Sequence, residues 1–351
     1  MPKVLVTGAN GYIGNAVAKA FNRAGWKTYG LIRRIQDAPD LTQNEIHPII
    51  GTPETLVSSS SNGEEDTCIF DVVVSNSEDW SDYDAHFQQV KAMLTHIGQR
   101  TWESAHVRTL VLFSSGCKDY GMTGKHGDAD LSPHTETSPL DAFPILLPRT
   151  RSAASLLDSS NPLPFDVVVL RPTNVYGYGS SYYGPLFAWA ERAKNEGGDV
   201  LRVAADPKTI MHSAHIDDCA LAYVKLAEHP RRDEIKGQAF NISNSRYETT
   251  RDVCEALGKS YGLSVEYKDP KPFENIIPGM IEAVLQYSQW VSSDKIRRLT
   301  GWEEKRAHFA SGIAEYRMAY EAALAANHEG TKKIYTIFQN PDILRCQWKD
   351  A

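Results

Sequence analysis

The stretch Val4-Leu5-Val6-Thr7-Gly8-Ala9-Asn10-Gly11-Tyr12-Ile13-Gly14 decides the fold. Three β-formers run directly into glycines at positions 8, 11 and 14. Behind them Ile13, Val17, Ala20 and Phe21 recur at helical spacing, so the pattern reads as strand, tight loop and amphipathic helix. Glycine lets backbone amides approach a pyrophosphate closely, and the helix N-terminus turns its positive end toward the charge. A glycine triplet alone also fits a merely tight βα turn. The strand before it and the helix after it supply the context that a dinucleotide loop requires. The stretch therefore reads as a nicotinamide-dinucleotide site, with Thr7, Gly8, Asn10, Gly11, Tyr12, Ile13 and Gly14 as contacts.

Outward from this loop, short apolar runs alternate with helical stretches. Strands are expected at 3–7, 27–32, 46–50, 70–75 and 108–115, and helices near 12–24, 84–103 and 145–159. Phe165-Asp166-Val167-Val168-Val169-Leu170-Arg171-Pro172 reads as a sixth, buried strand. This rhythm predicts an α/β fold with a doubly wound, parallel, Rossmann-type sheet. The serine-rich stretch 53–66 reads as a flexible surface loop, and 121–134 as a loop over the carboxyl ends of the strands, where a lid would sit. After residue 173 the pattern changes to helices at 185–195, 217–228, 249–261 and 305–325 with short strands between them. That division predicts a dinucleotide-binding core over 1–172, a smaller substrate-binding α/β part over 173–325 interleaved with it, and a polar tail over 326–351.

Composition narrows the function. A formal net charge of −7 without a basic stripe argues against nucleic acid. No apolar run approaches the ~20 residues that span a bilayer, and the N-terminus is already strand, which argues against a leader and for a cytoplasmic protein. The five cysteines, Cys68, Cys117, Cys219, Cys254 and Cys346, lack metal-ligand spacing and read as free thiols. No metal is expected. His215-Ile216-Asp217-Asp218 reads as a helix start, with Asp217 or Asp218 as the cap.

The second strand ends Gly30-Leu31-Ile32-Arg33-Arg34, and the first acid after it is Asp37. An acid at the strand end would suit the ribose hydroxyl of NAD, whereas a guanidinium can pair with a 2′-phosphate. Arg33 and Arg34 thus favour NADP(H) over NAD(H).

Several local patterns agree in order. They are Thr7-Gly8-x-x-Gly11-x-x-Gly14, Phe113-Ser114-Ser115-Gly116 with Tyr120-Gly121, Leu170-Arg171-Pro172-Thr173-Asn174-Val175-Tyr176-Gly177, His215-Ile216-Asp217-Asp218 and Leu299-Thr300-Gly301-Trp302. Over residues 1–325 the chain resembles the extended short-chain dehydrogenase/reductases, the NAD-dependent epimerase/dehydratase group. The resemblance implies further cofactor contacts from Ser75, Arg151, Pro172, Asn174 and Val175. It also implies a C-terminal part that closes over a small carbonyl compound or nucleotide sugar, and a possible homodimer through the helices at 84–103 and 145–159. Apolar residues on those helices, including Phe87, Val90, Met93, Leu94, Leu146, Leu156 and Leu157, fit core packing equally well.

The pattern fails at the proton donor. Family members carry Tyr-x-x-x-Lys on the helix after the fifth strand, where this chain reads Leu147-Pro148-Arg149-Thr150-Arg151. Leucine has no proton to transfer, and arginine stays protonated. Ser115 and Tyr176 are the candidate substitutes. Gly116, Cys117, Tyr120, Tyr178, Tyr182, Tyr183 and His212 are candidate substrate contacts, with His134 a further titratable neighbour. The expected function is an NADP(H)-dependent oxidoreductase or epimerase-like enzyme with an atypical site, acting on a small carbonyl, sugar-nucleotide or secondary-metabolite substrate. The alternative is a dinucleotide-binding sensor that has lost turnover.

Overall fold

Alternation along the first strand sets both faces of the sheet. In the computed structural model, which describes residues 1–59, 69–179, 183–269, 281–332 and 335, β1 (Lys3–Thr7) turns Val4 and Val6 toward one helical layer and Leu5 toward the other. Successive strand side chains point to opposite faces. There follow α1 (Tyr12–Arg23), β2 (Lys27–Ile32), α2 (Ala38–Gln43), β3 (His47–Ile50), α3 (Pro53–Ser59), β4 (Val72–Ser75), α4 (Tyr83–Ala105), β5 (Leu110–Ser114), α5 (Leu147–Leu156) and β6 (Asp166–Pro172). The second part contributes β7 (Asn174–Tyr176), α6 (Gly184–Asn195), β8 (Val200–Val203), β9 (Ile210–Met211), β10 (Ser213–His215), α7 (Ile216–Ala227) and β11 (Gln238–Ile242). It ends with β12 (Glu248–Thr249), α8 (Thr250–Tyr261), β13 (Ser264–Tyr267), α9 (Ile281–Gln286), α10 (Asp294–Thr300) and α11 (Ile313–Ala325).

Seven strands form one parallel sheet in the order β11-β6-β5-β4-β1-β2-β3. The order reverses between β1 and β4, so a crevice opens at their carboxyl ends, where doubly wound sheets bind ligands. Helices α1 and α7 cover the Val4 face through Val17, Phe21, Tyr223 and Leu226. Helices α4 and α5 cover the opposite face through Phe87, Val90, Met93, Leu94, Ala153 and Leu156. These apolar residues on α4 and α5 are therefore enclosed within one protomer. Both β11 and α7 come from beyond residue 173 yet complete the sheet layers, so the two parts interleave. A third core joins α6, α8 and α11 around Tyr183, Leu186, Phe187, Leu257, Phe309 and Tyr320.

Four expectations change. Pro53–Ser59 is helix rather than loop; Thr52 and Thr55 cap each other's amides and Leu56 is buried, while 60–68, including Cys68, lie outside the described residues. The 121–134 stretch is tied down and is not a free lid: Thr123 N–H donates to Ser288, His126 N–H to Lys208 and His134 N–H to Trp290, each at 2.9 Å. The last helix begins only at Ile313, because carboxylates hold the backbone before it. Asp218 accepts from Lys305 and Arg306 N–H, and Glu248 from Phe309 and Ala310 N–H. For the same reason Asp218 does not cap α7; His215 does, its Nδ1 accepting from Asp217 N–H at 3.1 Å.

Candidate active site

The glycine loop is built by close approach. A Cβ on Gly14 would stand 2.2 Å from the Gly8 carbonyl oxygen, and Gly8 itself has φ +62 with its Cβ position 3.1 Å from Asn76 O. Thr7 is buried and its Oγ1 accepts from Asn76 N–H at 3.0 Å and Ser77 N–H at 3.2 Å, which ties the β1 and β4 ends together. Gly11 begins α1 with no side-chain cap and no acid in the first turn. The first-turn amides around Ile13 and Gly14 are thus not screened by an anionic side chain. Beside them, the buried Ser75 Oγ, Asn76 Nδ2 and Ser77 Oγ make no hydrogen bond. Buried polar atoms are normally satisfied, so these orphans at the crevice fit a bound polar ligand. The residues present therefore fit a dinucleotide.

The outer end of the crevice differs between its two arginines. Arg33 is exposed, with Asp79 as a nearby carboxylate. Arg34 is already paired, to Asp37 through Nε at 3.1 Å and a terminal nitrogen at 2.8 Å, and to Glu329 at 3.0 Å. Asn10 donates to the same Asp37 carboxylate at 2.7 Å. Tyr12 OH donates to Gly177 O at 2.8 Å, linking the glycine loop to the turn after β7. Val175 and Pro172 lie in paired strand, and Arg151 is exposed on α5.

At the β5 end the polar groups converge on Asp119, which is fully buried. Its carboxylate accepts from Ser115 Oγ at 2.5 Å, from an Arg149 terminal nitrogen at 2.9 Å and from Thr150 Oγ1 at 2.9 Å, while Arg171 Nε stands 3.4 Å away. The Arg149 guanidinium lies 3.1–3.3 Å from where a Cβ on Gly116 would be, so glycine there leaves it room, and Trp80 lies 5.8 Å from it. Half-buried Lys118 bridges the β5 and β6 loops. Its Nζ donates to Asn174 Oδ1 at 2.6 Å and sits 4.7 Å over the Tyr287 ring. Phe143 meets the same ring at 5.5 Å.

Other candidates lie elsewhere or are occupied. Tyr176 is fully buried in the third core; its hydroxyl donates to Ala307 O at 2.7 Å and accepts from Asn244 at 3.3 Å, and burial drives its phenol well above the ordinary value. Tyr183 packs in that core against Phe309 at 4.6 Å. Tyr120 is buried, donates to Asn241 Oδ1 and accepts from Arg171, both at 2.8 Å, and stacks on His134 at 5.4 Å. Cys117 is buried with its thiol donating to Arg171 O at 2.8 Å. Tyr178 is exposed and donates to Asp217 at 2.9 Å, whereas Tyr182 lies outside the described residues. His212 has both ring nitrogens engaged: Nδ1 accepts from Val291 N–H at 3.2 Å and Nε2 donates to Asn244 O at 2.9 Å. Burial lowers its pKa to about 4. The structure thus gathers Ser115, Gly116 and Asn174 near the β5 and β6 ends, packs Tyr176 and Tyr183 into the third core, and leaves His212 with both ring nitrogens occupied. Sequence reasoning did not single out Asp119, Lys118, Arg149 or Tyr287 as site residues.

Comparison with known proteins agrees with this architecture. Residues 4–243 match the profile of the NAD dependent epimerase/dehydratase family. The chain is 25% identical over 289 residues to the spore coat polysaccharide biosynthesis protein SpsK of Bacillus subtilis, covering 79% of this chain and 89% of that protein. It is 26% identical over 281 residues to mouse (Mus musculus) short-chain dehydrogenase/reductase family 42E member 1, covering 74% and 68% of the two chains. A dTDP-glucose 4,6-dehydratase from Bacillus anthracis, solved in complex with NAD, superposes with TM-score 0.71 at 18% identity, over 95% of this chain and all (100%) of that one. A UDP-glucuronic acid 4-epimerase from Bacillus cereus, also with NAD, gives TM-score 0.68 at 16% identity over 94% and 99% of the two chains.

Proposed function

Because the chain belongs to the NAD dependent epimerase/dehydratase family, we propose that it is a dinucleotide-dependent oxidoreductase or epimerase-like enzyme whose site lacks the usual tyrosine. We propose NADP(H) as the preferred form and a small carbonyl, a sugar nucleotide or a secondary metabolite as substrate. The observation that carries the reading is the crevice between β1 and β4, with its glycine cradle and three orphaned buried polar atoms. The α1 N-terminus would hold the pyrophosphate. Arg33 is the cation open to a 2′-phosphate, since two carboxylates engage Arg34. The nicotinamide, when bound, supplies or accepts a hydride.

On the substrate side, Arg149 and Lys118 offer N–H donors to a carbonyl or alcohol oxygen. Ser115 gives its proton to Asp119, so we assign it a positioning role: it helps fix the carboxylate that orients Arg149. Tyr176, with its hydroxyl held by Ala307 and Asn244, is not retained as the proton carrier. The sugar-nucleotide enzymes and the polysaccharide-biosynthesis protein among the similar proteins favour a glycosyl substrate. Leu147, where a tyrosine is usual, favours the competing reading of a dinucleotide-binding sensor.

Fluorescence titration with NADPH and NADH, followed by turnover on aldehydes, ketones, UDP-glucose, UDP-glucuronic acid and dTDP-glucose, separates the readings. The enzyme predicts saturable binding and turnover of at least one compound. Binding without turnover of any supports the sensor, and no binding of either cofactor overturns both.

A further inference from the structure

Near the β5 and β6 carboxyl ends, the proton-bearing groups differ sharply in what they can release. Arg149 is paired with Asp119 and, as a guanidinium, keeps its proton. Burial raises the Tyr287 phenol and the Cys117 thiol above their ordinary values, and the thiol already donates to Arg171 O. Lys118 stands apart: among the described residues no carboxylate pairs with its ammonium, whose hydrogen-bond partner there is the neutral Asn174 side chain. One N–H is thereby fixed, and two remain.

We propose that Lys118 is the proton carrier at the substrate oxygen, standing in for the absent tyrosine. The inference rests on the dinucleotide-dependent reading above. Its geometry is the bridge from the β5 loop to Asn174 after β6, beside the Arg149 donors and on the Tyr287 ring. Burial, reinforced by the Arg149 charge, lowers the ammonium to about 8, while Cys117 opposes the shift. An acid works best when its pKa lies near the working pH, and an ordinary lysine at about 10.4 is poorly matched. In the reducing direction the carbonyl carbon gains a hydride, the π pair moves to oxygen, and the oxygen takes a proton from the Lys118 ammonium. One C–H and one O–H bond form; the carbonyl π bond, one N–H bond of Lys118 and the C–H bond of the hydride donor, a reduced nicotinamide that would be oxidised by two electrons, break, and solvent reprotonates the neutral amine. In the oxidising direction the neutral amine takes the alcohol proton.

Trace labelling of the cofactor-free protein with acetic anhydride across pH, read by peptide mass spectrometry, tests the amine without turnover. The Lys118 labelling rate should reach half its plateau near pH 8, below the pH at which the exposed lysines do so. Labelling that follows the exposed lysines, or no labelling at any pH, overturns the proposal, because a proton carrier must titrate and be reachable. Lys118→Met and Lys118→Arg complete the test. Both should bind NADPH within about threefold of wild type and lose about 100-fold or more in single-turnover hydride transfer. Arginine keeps the charge and the Asn174 contact, so a Lys118→Arg variant with wild-type rates overturns proton transfer and leaves only an electrostatic role. Failure of the wild-type protein to bind a dinucleotide overturns the underlying reading instead.

Discussion

Arg33 and Arg34 are neighbours in sequence but meet different surroundings. Carboxylates from Asp37 and Glu329 already hold Arg34; Arg33 is exposed at the crevice. Arg33→Ala should weaken NADPH by about tenfold or more, the size of a charge-assisted contact, and leave NADH unchanged in fluorescence titration; equal effects on both cofactors contradict the assignment. Gly14→Ala should abolish binding of both, since its Cβ would stand 2.2 Å from Gly8 O. His212 gives a stability prediction. Its folded pKa of about 4 lies below the ordinary 6.5, so the unfolded chain binds the proton first. Its contribution is complete above pH 6.5 and is lost as pH falls from 6.5 to 4, by on the order of 3 kcal/mol. Urea titrations at pH 7 and pH 4.5 should show a smaller acid loss in His212→Gln than in wild type. Equal losses contradict the assignment.

Among the elements, α8 shows how local sequence fixes a boundary. Thr249 Oγ1 accepts from Asp252 N–H at 3.2 Å, and the Asp252 carboxylate accepts from Thr249 N–H at 2.8 Å. Thr249→Ala should cost about 1 kcal/mol in denaturant unfolding; no measurable loss would show that the cap is dispensable. Such signals made much of the fold legible. The β-branched runs at Val4–Val6, Val72–Val74 and Val167–Val169 are core strands, and the glycine loop stands where its pattern placed it. Short α2 and α3 were hidden, because their stability comes from burying Leu41 and Leu56 rather than from a long periodic pattern. The face proposed to meet the substrate was hidden for a geometric reason. Aligning α5 on the family spacing selects Arg151, but residues two apart on a helix point about 200° apart. Arg149 is the one turned toward Asp119. Asp119 carries no local signal, since its role depends on Ser115, Thr150 and Arg171 meeting it from three other positions in the fold.

At the level of the whole molecule, the sheet that forms the crevice is not finished within the first half. β11 supplies its seventh strand and α7 covers α1, burying Phe240, Ile242, Tyr223 and Leu226. A fragment of residues 1–172 should therefore neither give near-ultraviolet circular dichroism of a packed core nor bind a dinucleotide; a folded, binding fragment contradicts this dependence. The interleaving also joins the β6–β7 turn, with Asn174, to the same layer that holds the glycine loop. The proposed cofactor and proton sites are thus parts of one packed unit. The most direct test of the enzyme reading uses NADPH stereospecifically deuterated at C4, reacted in a single turnover with the carbonyl panel. Deuterium should appear on the former carbonyl carbon of at least one product and come from one face of the nicotinamide. Tight cofactor binding with no deuterium in any product would contradict it.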